Sequence, residues 1–432
     1  MMRKIIGIIR NKLKQLYTSG GIHVTIGSFV TKFVAFFGSI FVVRLLSKED
    51  YGLLSYVENI YGYALVIAGL GLSYSILRYV IVAEENKKGS VFKYVVKNSI
   101  IINLIISAII VLANFFAPYP ESVKNVIYFV PIIALLVPCQ DLFNDGLFTL
   151  RATFRNKEYA YWSTAVASIL IIGRIVGAIV GNVSGVLWSR VIINTIASIA
   201  LLLFCKNVIR LQSTNQLTQN EKREIKSYAF QYMITNGLWA VFMLNDLFIL
   251  GNMISDATVI ADYKVAYVLP SNLIIFANAI GIYVGPYFTK NENDLSWVRR
   301  NFKKVYMVTF AVVFSVALII WILANPLIVL LYGESYLNVV PLMRVLLIAA
   351  VLNAGLRYTT ANSLAAMGQV KYNMVISAIG MALQIILDIV LIRGYKAMGV
   401  AISSCIVYAF MSLSLLLVFY KKYYRSDKAI AD

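Results

Sequence analysis

The sequence contains few of the residues that soluble enzymes use for chemistry. Among 432 residues there are one histidine and three cysteines. A lone histidine, His23, cannot form a histidine metal site or a proton relay. The cysteines Cys139, Cys205 and Cys405 lie in or beside apolar runs without a CxxC spacing, so we interpret them as small buried hydrophobic residues. We therefore expect no metal, no cofactor and no disulfide framework.

Motifs for nucleotide hydrolysis and for common enzyme chemistry are also absent. The chain has no GxxxxGK[ST] loop, no HExxH and no GxSxG. It therefore does not hydrolyse ATP by itself, and we predict that it is not an enzyme. Any transport has to draw on an ion gradient or on the gradient of its own substrate.

Charge is scarce as well, because only 14% of the residues are charged and 60% are hydrophobic. Soluble globular chains carry about 25% charged residues. A helix crosses a bilayer core with ~20 apolar residues, and the sequence lacks the alternation of strands. We predict an all-α polytopic membrane protein whose partner is the phospholipid bilayer.

The net charge of +19 is not interpreted as a nucleic-acid signal. The basic residues lie between the apolar runs, where they anchor helices at an anionic membrane surface. Most of them fall in one set of alternate connections, which predicts that both termini are cytoplasmic. Twelve apolar spans are predicted, near residues 22–46, 54–82, 94–116, 125–150, 159–181, 184–205, 228–252, 259–288, 303–325, 339–367, 372–393 and 398–420.

These spans predict two lobes of six helices each. The first apolar run contains Lys32 and has no small-residue cleavage site, so we expect a retained helix rather than a signal peptide. The predicted parts are an amphipathic cytoplasmic segment, the first lobe, a basic cytoplasmic linker, the second lobe and a cytoplasmic tail, at residues 1–21, 22–205, 206–227, 228–420 and 421–432.

An internal repeat supports the two lobes, although chance matching of short motifs is an open alternative. Six helices per half give both halves the same orientation, with a substrate path expected between them. The matching pairs are 212, 213 and 214 positions apart: Asp50-Tyr51 with Asp262-Tyr263, Tyr159 with Tyr372, and Gly185-Val186 with Gly399-Val400.

Charges inside the spans are the main candidates for function, because each costs ~2.5–3.5 kcal/mol at the bilayer centre. Lys32 and Arg357 are the deepest. Arg357 shares a helix face with Asn353 and Thr360. For the other basic residues, snorkelling to the interface explains the charge as well as function does; they are Arg78, Arg174, Arg190 and Arg344.

Lys32 belongs to a small and polar stripe at helical spacing, which is typical of a helix face that lines a cavity. The alternative is a buried ion pair with Asp141 or Asp145. These two carboxylates, four residues apart, are also candidates for ion coupling together with Asp246, although pairing with a basic residue is the simpler interpretation. The stripe consists of Thr25, Ser28, Lys32, Ala35 and Ser39.

Two further polar faces occur at matching positions of the repeat, and we interpret them as walls of one path. Their tyrosines could stack on sugar rings, although tyrosines also concentrate at membrane interfaces. The faces consist of Gly52, Tyr56, Asn59 and Tyr63 in the second span, and of Lys264, Tyr267, Ser271 and Asn278 in the eighth.

The run from Arg44 to Tyr56, RLLSKEDYGLLSY, resembles the polysaccharide-transporter (O-antigen flippase) family of the multidrug/oligosaccharidyl-lipid/polysaccharide (MOP) exporter superfamily. Its members share a Leu-Ser-x-x-acidic-Tyr/Phe-Gly turn. The second-half segment ILGNMISDATVIADYKVAY is similar to the family's corresponding segment, although Ala261 stands where the family usually has glycine. The turn corresponds here to Leu46, Ser47, Asp50, Tyr51 and Gly52.

The resemblance implies a MOP-like fold with a basic central cavity, located in the bacterial inner membrane. It implies alternating-access movement of undecaprenyl-diphosphate-linked oligosaccharide, an O-antigen (lipopolysaccharide), capsule or exopolysaccharide repeat unit, with glycan polymerase machinery as a possible partner. On this view the diphosphate is attracted by cavity cations, for which the candidates are Lys32, Arg357, Arg78, Arg174 and Lys264.

Three other functions stay open. A cation-coupled multidrug exporter of the same superfamily would need an acidic cavity, whereas the deepest charges, Lys32 and Arg357, are basic. A lipid-II-type flippase usually has two more helices. A membrane polysaccharide polymerase or glycosyltransferase needs a large catalytic loop, whereas the outer run APYPESVKN holds one acid, Glu121.

Overall fold

A computed structural model describes residues 21–208, 216–254 and 256–424, and within these ranges it contains helices and turns but no strands. The predicted amphipathic N-terminal segment and most of the predicted tail lie outside this part. The helices are α1 (Gly21–Leu45), α2 (Lys48–Ile67), α3 (Leu72–Val82), α4 (Glu85–Phe116), α5 (Val126–Ala152), α6 (Asn156–Val208), α7 (Gln219–Met253), α8 (Ala257–Asn272), α9 (Ile274–Lys290), α10 (Leu295–Ile322), α11 (Ala324–Tyr332), α12 (Val340–Ala350), α13 (Tyr358–Ala366) and α14 (Val370–Tyr423).

The fold class is that of an all-α, multi-pass membrane protein. In the part of the chain that is described, nine helical segments are long and apolar enough to cross a bilayer. Two of them, with 53 and 54 residues, are much longer than the ~20 residues that one crossing requires. The count of twelve crossings and the cytoplasmic position of both termini stay predictions.

Side-chain caps explain where several helices begin. Ser47, in the family-like turn, accepts a hydrogen bond from the backbone N–H of Asp50 at 3.0 Å and so caps α2. Thr218 and Glu221 form a reciprocal capping box ahead of α7. Asp294 caps α10, and the backbone N–H of Trp297 holds the pKa of its carboxyl below the usual value.

Helices α6 and α14 are each broken into a hairpin at equivalent positions of the repeat. The backbone reverses at Asn182 (φ 48°, ψ −133°) and at Lys396 (φ 49°, ψ −131°). These residues are 214 positions apart, which is the offset that the glycine-valine motif predicts. The two sequence motifs therefore mark the same backbone turn in both halves.

The glycines of these hairpins allow the two arms to pack backbone against backbone. A Cβ atom on Gly177 would lie 2.3 Å from the carbonyl oxygen of Gly185, and one on Gly185 would lie 2.1 Å from that of Gly177. In the second hairpin a Cβ on Gly399 would lie 2.5 Å from the carbonyl oxygen of Leu391. Only glycine permits such an approach, as at small-residue helix contacts in membranes.

Two of the predicted spans contain a break in the helix, although each still lies within one segment long and apolar enough to cross a bilayer. The span near 54–82 breaks at Gly69–Gly71, where Leu70 adopts a positive φ of 46°. The span near 259–288 is divided at Leu273 into α8 and α9, three residues after Pro270, which has no N–H to donate to the helix. Hydropathy does not detect such breaks, because the residues on both sides remain apolar.

The chain forms two compact units, Met1–Leu244 and Asn245–Asp432, and the boundary between them falls within α7. In the first unit Ile76, Val95 and Leu201 belong to an apolar core cluster. In the second, Val313 and Leu347 belong to another. The predicted lobe boundaries stay predictions.

We expect Gly185→Ala to destabilise the protein by about 1–3 kcal/mol, because the new methyl group overlaps the facing backbone. The midpoint of thermal unfolding in detergent should fall accordingly. Gly181→Ala is the matched control, since a Cβ there meets no atom within 4 Å. Equal midpoints for both variants would contradict the close packing of the hairpin.

Candidate functional site

Lys32 lies on α1 and is exposed, although the helix is predicted to span the membrane. No carboxylate pairs with it among the residues whose side chains are described. In particular, neither Asp141 nor Asp145 does, so the alternative of a buried pair with one of them is not what the structure shows. The side chains of Thr25 and Ser28, which the sequence placed on the same stripe, lie outside the described part.

Lys32 lies on a different face of α1 from the apolar residues that are exposed on that helix. One face contacts α6, since the hydroxyls of Thr31 and Thr164 are 3.5 Å apart. Another face carries a row of exposed phenylalanines. At about 100° per residue Lys32 is about 100° from the first face and about 140° from the row. The row consists of Phe33, Phe37 and Phe41.

A cluster of three charged residues connects α2 with both arms of the α6 hairpin. Glu58 on α2 accepts ion pairs from Arg174 at 2.8 Å and from Arg190 at 2.9 Å, which lie on the two arms of the α6 hairpin. Both guanidinium groups meet the same carboxylate oxygen, Oε1. The structure therefore places these arginines in an ion-pair cluster, where the sequence left snorkelling as an equal alternative.

Buried polar atoms beside this cluster lack partners in the described residues. The Nε of Arg174 and the hydroxyl of Tyr61 are buried without a hydrogen bond. The guanidinium of Arg190 lies 5.0 Å from the centre of the Tyr61 ring. Unsatisfied donors of this kind are rare in folded proteins and often mark a missing ion or water.

Asp141 forms a buried network at the break between α2 and α3. Its carboxylate accepts hydrogen bonds from Ser73 at 2.7 Å and from Asn103 at 2.6 Å, and also from Ser99. The side-chain oxygen of Asn103 in turn accepts the backbone N–H of Gly69 at 2.7 Å. The backbone N–H of Gly69, which the break removes from the regular helical hydrogen bonds, is therefore bonded by a side chain instead.

Asp145 lies one helical turn from Asp141 in a different environment. It is fully buried, and neither carboxylate oxygen has a hydrogen-bond partner among the residues described. An isolated ionised carboxylate in apolar surroundings is very costly. The two candidate coupling residues on α5 therefore differ, one being fully hydrogen-bonded and the other not.

In the second unit Asp246 lies in a cluster with a second carboxylate, Asp388. The Nε2 of Gln384 is 3.3 Å from Asp246 and 3.1 Å from Asp388, and it donates to Ser403 at 2.8 Å. Tyr263 donates to Asp246 at 3.1 Å and Ser403 donates to Asp388. The cluster provides carboxylate, hydroxyl and amide oxygens, the ligands that hard cations prefer.

Arg357 is buried and lies in a π-helical turn, Val351–Arg357, between α12 and α13. Its Nε donates to the side-chain oxygen of Asn353 at 2.7 Å, and its guanidinium lies 6.0 Å from the centre of the Tyr408 ring. Single π turns inside helices occur frequently at functional sites. The predicted shared face of Asn353 and Arg357 is thus a direct contact.

The other predicted residues of the first unit have varied surroundings. Arg78 is exposed and lies over the ring of Tyr228, with its guanidinium carbon 5.0 Å from the centre. Tyr56 is buried, and Asn59 is buried and donates to the carbonyl of Leu244 at 2.9 Å. Tyr63 is half-buried. The role of these residues as cavity walls stays a prediction.

The predicted residues of α8 and α9 are half-buried. Tyr267 stacks on Tyr263 with ring centres 5.9 Å apart, and Ser271 donates to the carbonyl of Val268 at 3.0 Å. The side-chain oxygen of Asn278 accepts a hydrogen bond from Tyr358 at 2.8 Å. Lys264 is also half-buried. Tyr267 is thereby linked through its neighbour to the Asp246 cluster.

Sequence reasoning did not assign a role to several residues that complete these clusters. Glu58 lies within the second predicted span, and its role follows only from its contacts with the two arginines. Polar residues at i,i+4 spacing inside apolar spans are the sequence signal for the other members. These pairs are Ser99 with Asn103 on α4, and Gln384 with Asp388 on α14.

Comparisons with known proteins give one family match and many structural matches. Residues 18–292 match the family described as polysaccharide biosynthesis protein. A search of curated protein sequences finds no match to this chain.

Several membrane transporters are among the solved structures that match this chain. The lipid II flippase MurJ in an inward closed conformation is 16% identical with a TM-score of 0.72, covering 92% of this chain and 87% of that one. An inward-facing multidrug resistance MATE family transporter of the MOP superfamily is 14% identical with a TM-score of 0.74, covering 95% and 99%. A MOP superfamily transporter from Pyrococcus furiosus, described by a reverse polarity of its binding pocket, is 16% identical with a TM-score of 0.60, covering 94% and 95%. These matches show the MOP fold.

We expect Asn103→Leu to lower the free energy of unfolding by about 1–3 kcal/mol, because it leaves the Gly69 N–H and an oxygen of Asp141 buried without a partner. Thermal unfolding in detergent measures the loss. Ser107→Ala, one turn along α4, removes a single hydrogen bond to the carbonyl of Ala134 and should cost about 1 kcal/mol or less. A larger loss in Ser107→Ala would contradict the proposed support of the helix break.

Proposed function

The chain belongs to the polysaccharide biosynthesis protein family, and from that premise we propose that it is a flippase for lipid-linked oligosaccharide. The cargo proposed is undecaprenyl-diphosphate-linked oligosaccharide, such as an O-antigen, capsule or exopolysaccharide repeat unit. It would be moved by alternating access across the bacterial inner membrane, without an enzymatic step. Glycan polymerase machinery stays a predicted partner.

The observation that carries this proposal is the exposure of Lys32 on a helix that is predicted to span the membrane. An ammonium group within a membrane-spanning helix is costly unless it meets water or a counter-ion. Lys32 is exposed on a face that neither contacts α6 nor carries the phenylalanine row. A water-filled passage for an anionic headgroup supplies both water and, when substrate is bound, the counter-ion.

Further basic residues support an anionic cargo. Arg174 and Arg190 share one carboxylate in the first unit, and Arg357 is buried in the second. Guanidinium groups are the side chains best suited to phosphate oxygens. With Arg78 and Lys264, these residues are the proposed sources of attraction for the diphosphate.

A cation-coupled multidrug exporter is the alternative that one observation favours. The buried carboxylates Asp246 and Asp388 offer a site for a cation, as such an exporter requires. The reverse polarity described for the Pyrococcus furiosus transporter, however, supports the idea that this fold accommodates pockets of different charge. We prefer a coupling role for these carboxylates and an anionic cargo for Lys32.

We expect Lys32→Ala to abolish surface glycan in a strain whose own copy of the gene is deleted, at unchanged protein level, because the passage loses an exposed cation within the first span. Undecaprenyl-diphosphate-linked oligosaccharide should accumulate in the cytoplasmic leaflet. Glycan display on the cell surface and lipid-linked intermediates in membrane extracts are the two measurements.

Two control variants accompany this test. Lys32→Arg keeps the charge and should restore display, whereas Phe33→Ala changes the neighbouring exposed residue without altering charge and should display glycan normally. Normal display in Lys32→Ala would remove Lys32 from the mechanism.

Coupling to an ion gradient is proposed for the acidic groups, with Asp141, Asp145 and Asp246 as the candidates. Asp246 has the most suitable surroundings, since Gln384 contacts both it and Asp388 and the Oε1 of Gln384 is buried without a partner. We propose that a sodium ion or a proton binds at the carboxylates of this cluster.

We expect Asp246→Asn to remove the dependence of transport on an imposed sodium or proton gradient, since it removes one of the two carboxylate charges. The measurement is translocation of fluorescently labelled lipid-linked oligosaccharide in proteoliposomes with and without each gradient. Asp256→Asn, at the exposed cap of α8, is the control and should keep the dependence. Gradient-dependent transport in both Asp246→Asn and Asp388→Asn would exclude coupling at this cluster.

A further inference from the structure

The cluster of Glu58, Arg174 and Arg190 uses only part of the hydrogen-bonding capacity of its arginines. Each guanidinium contacts Glu58 through one nitrogen, and both contacts go to Oε1. Arginine binds anions best when two parallel N–H groups meet two oxygens. The resident carboxylate therefore leaves each guanidinium with donors that point elsewhere.

The cluster also carries more positive than negative charge. Glu58 is the one carboxylate that pairs with Arg174 or Arg190 within the described part of the chain. The side chains of Arg174, Arg190 and Glu58 are 24%, 15% and 22% exposed, so the cluster is partly buried but accessible to small ions. A partly buried site with surplus positive charge attracts anions strongly.

Unfilled donors next to the cluster point to a ligand. The hydroxyl of Tyr61, a residue that is only 4% exposed, has no hydrogen-bond partner, and the same holds for Nε of Arg174. The Tyr61 ring lies under the guanidinium of Arg190. A buried hydroxyl and a buried guanidinium N–H without acceptors are costly, and an anion within hydrogen-bonding distance would satisfy either of them.

The hairpin places the two arginines at the same distance from its turn. Arg174 precedes the reversal at Asn182 by eight residues, and Arg190 follows it by eight. Each is therefore about 12 Å along its helix from the turn. The close packing of Gly177 and Gly185 fixes the distance between the arms. The cluster is thus held by rigid helices rather than by loops.

We infer that Arg174 and Arg190, with Tyr61, form a binding site for a diphosphate group, and that Glu58 occupies this site as a competing internal anion until the diphosphate displaces it. The inference rests on the proposed function, because it takes the diphosphate of the lipid-linked cargo as the ligand. It assigns Arg190, Tyr61 and Glu58 roles that the sequence did not predict.

A diphosphate fits this site better than a sugar carboxylate does. A single carboxylate would only replace Glu58 with a group of equal charge and equal geometry. A diphosphate carries at least two negative charges and enough oxygens to meet both guanidinium forks at once. The exchange therefore releases Glu58 only for the anion with more charge, which makes the site selective.

The test measures binding of inorganic pyrophosphate to the purified protein in lipid nanodiscs by calorimetry. Arg174→Gln and Arg190→Gln should each weaken binding by about tenfold or more, since each removes one charged fork. Glu58→Gln should strengthen binding by about tenfold, because the internal competitor loses its charge. A cluster that only holds the helices together predicts no such gain.

Matched controls come from a second ion pair of the same unit. Arg155 and Glu158 form an exposed pair at 3.4 Å, so Arg155→Gln and Glu158→Gln should leave pyrophosphate binding unchanged. Arg190→Lys keeps the charge without the fork and provides a milder variant in case Arg190→Gln does not fold. Thermal unfolding checks that each variant is folded.

Unchanged or weaker pyrophosphate binding in folded Glu58→Gln would overturn the inference, as would full binding in Arg174→Gln and Arg190→Gln. Tighter binding of glucuronate than of pyrophosphate would assign the site to an acidic sugar and would also overturn it. These outcomes are separate from the proposed function, because Lys32→Ala tests glycan display whether or not pyrophosphate binds at Glu58.

Discussion

One constraint governs this molecule: a polar group inside an apolar helix bundle needs a partner within the bundle. The break between α2 and α3 illustrates it. The N–H of Gly69 is taken by Asn103, Asn103 is held by Asp141, and Asp141 also receives Ser73 and Ser99. Without this chain of hydrogen bonds the positive φ of Leu70 would be strain without compensation. The irregular backbone and the buried carboxylate therefore depend on each other.

The two halves of the repeat share a hairpin backbone but carry side chains of different charge at equivalent positions. The hairpin of α6 holds Arg174 and Arg190, and the positions one repeat later in α14 are Asp388 and Ser404. The two arginines of the first hairpin pair with Glu58, whereas Asp388 of the second accepts hydrogen bonds from amide and hydroxyl groups. A repeated frame can thus support a site for anions in one half and a site for cations in the other, as the proposed flippase with ion coupling requires.

Much of the fold was predictable, because hydropathy and the spacing of short motifs directly reflect membrane thickness and backbone turns. The glycine-valine motifs marked the hairpin reversals at Asn182 and Lys396, and the family-like turn marked the cap at Ser47. The break at Gly69–Gly71 was not predicted, since it depends on Asn103, a residue distant in sequence. Partners of charges were missed for the same reason: nothing near Glu58 in sequence indicates two arginines more than a hundred residues away.

The two basic residues predicted to lie deepest in the membrane, Lys32 and Arg357, differ in their accessibility to a substrate. Lys32 is exposed on α1. Arg357 is buried and its Nε donates to Asn353 within the π turn, so its guanidinium is less accessible to a phosphate than the ammonium of Lys32 is. A π turn converts to a regular helical turn by shifting one residue, which would also rotate the side chains beyond it. On the proposed function, Lys32 therefore acts in the first capture of the diphosphate, and contact with Arg357 belongs to a later conformation.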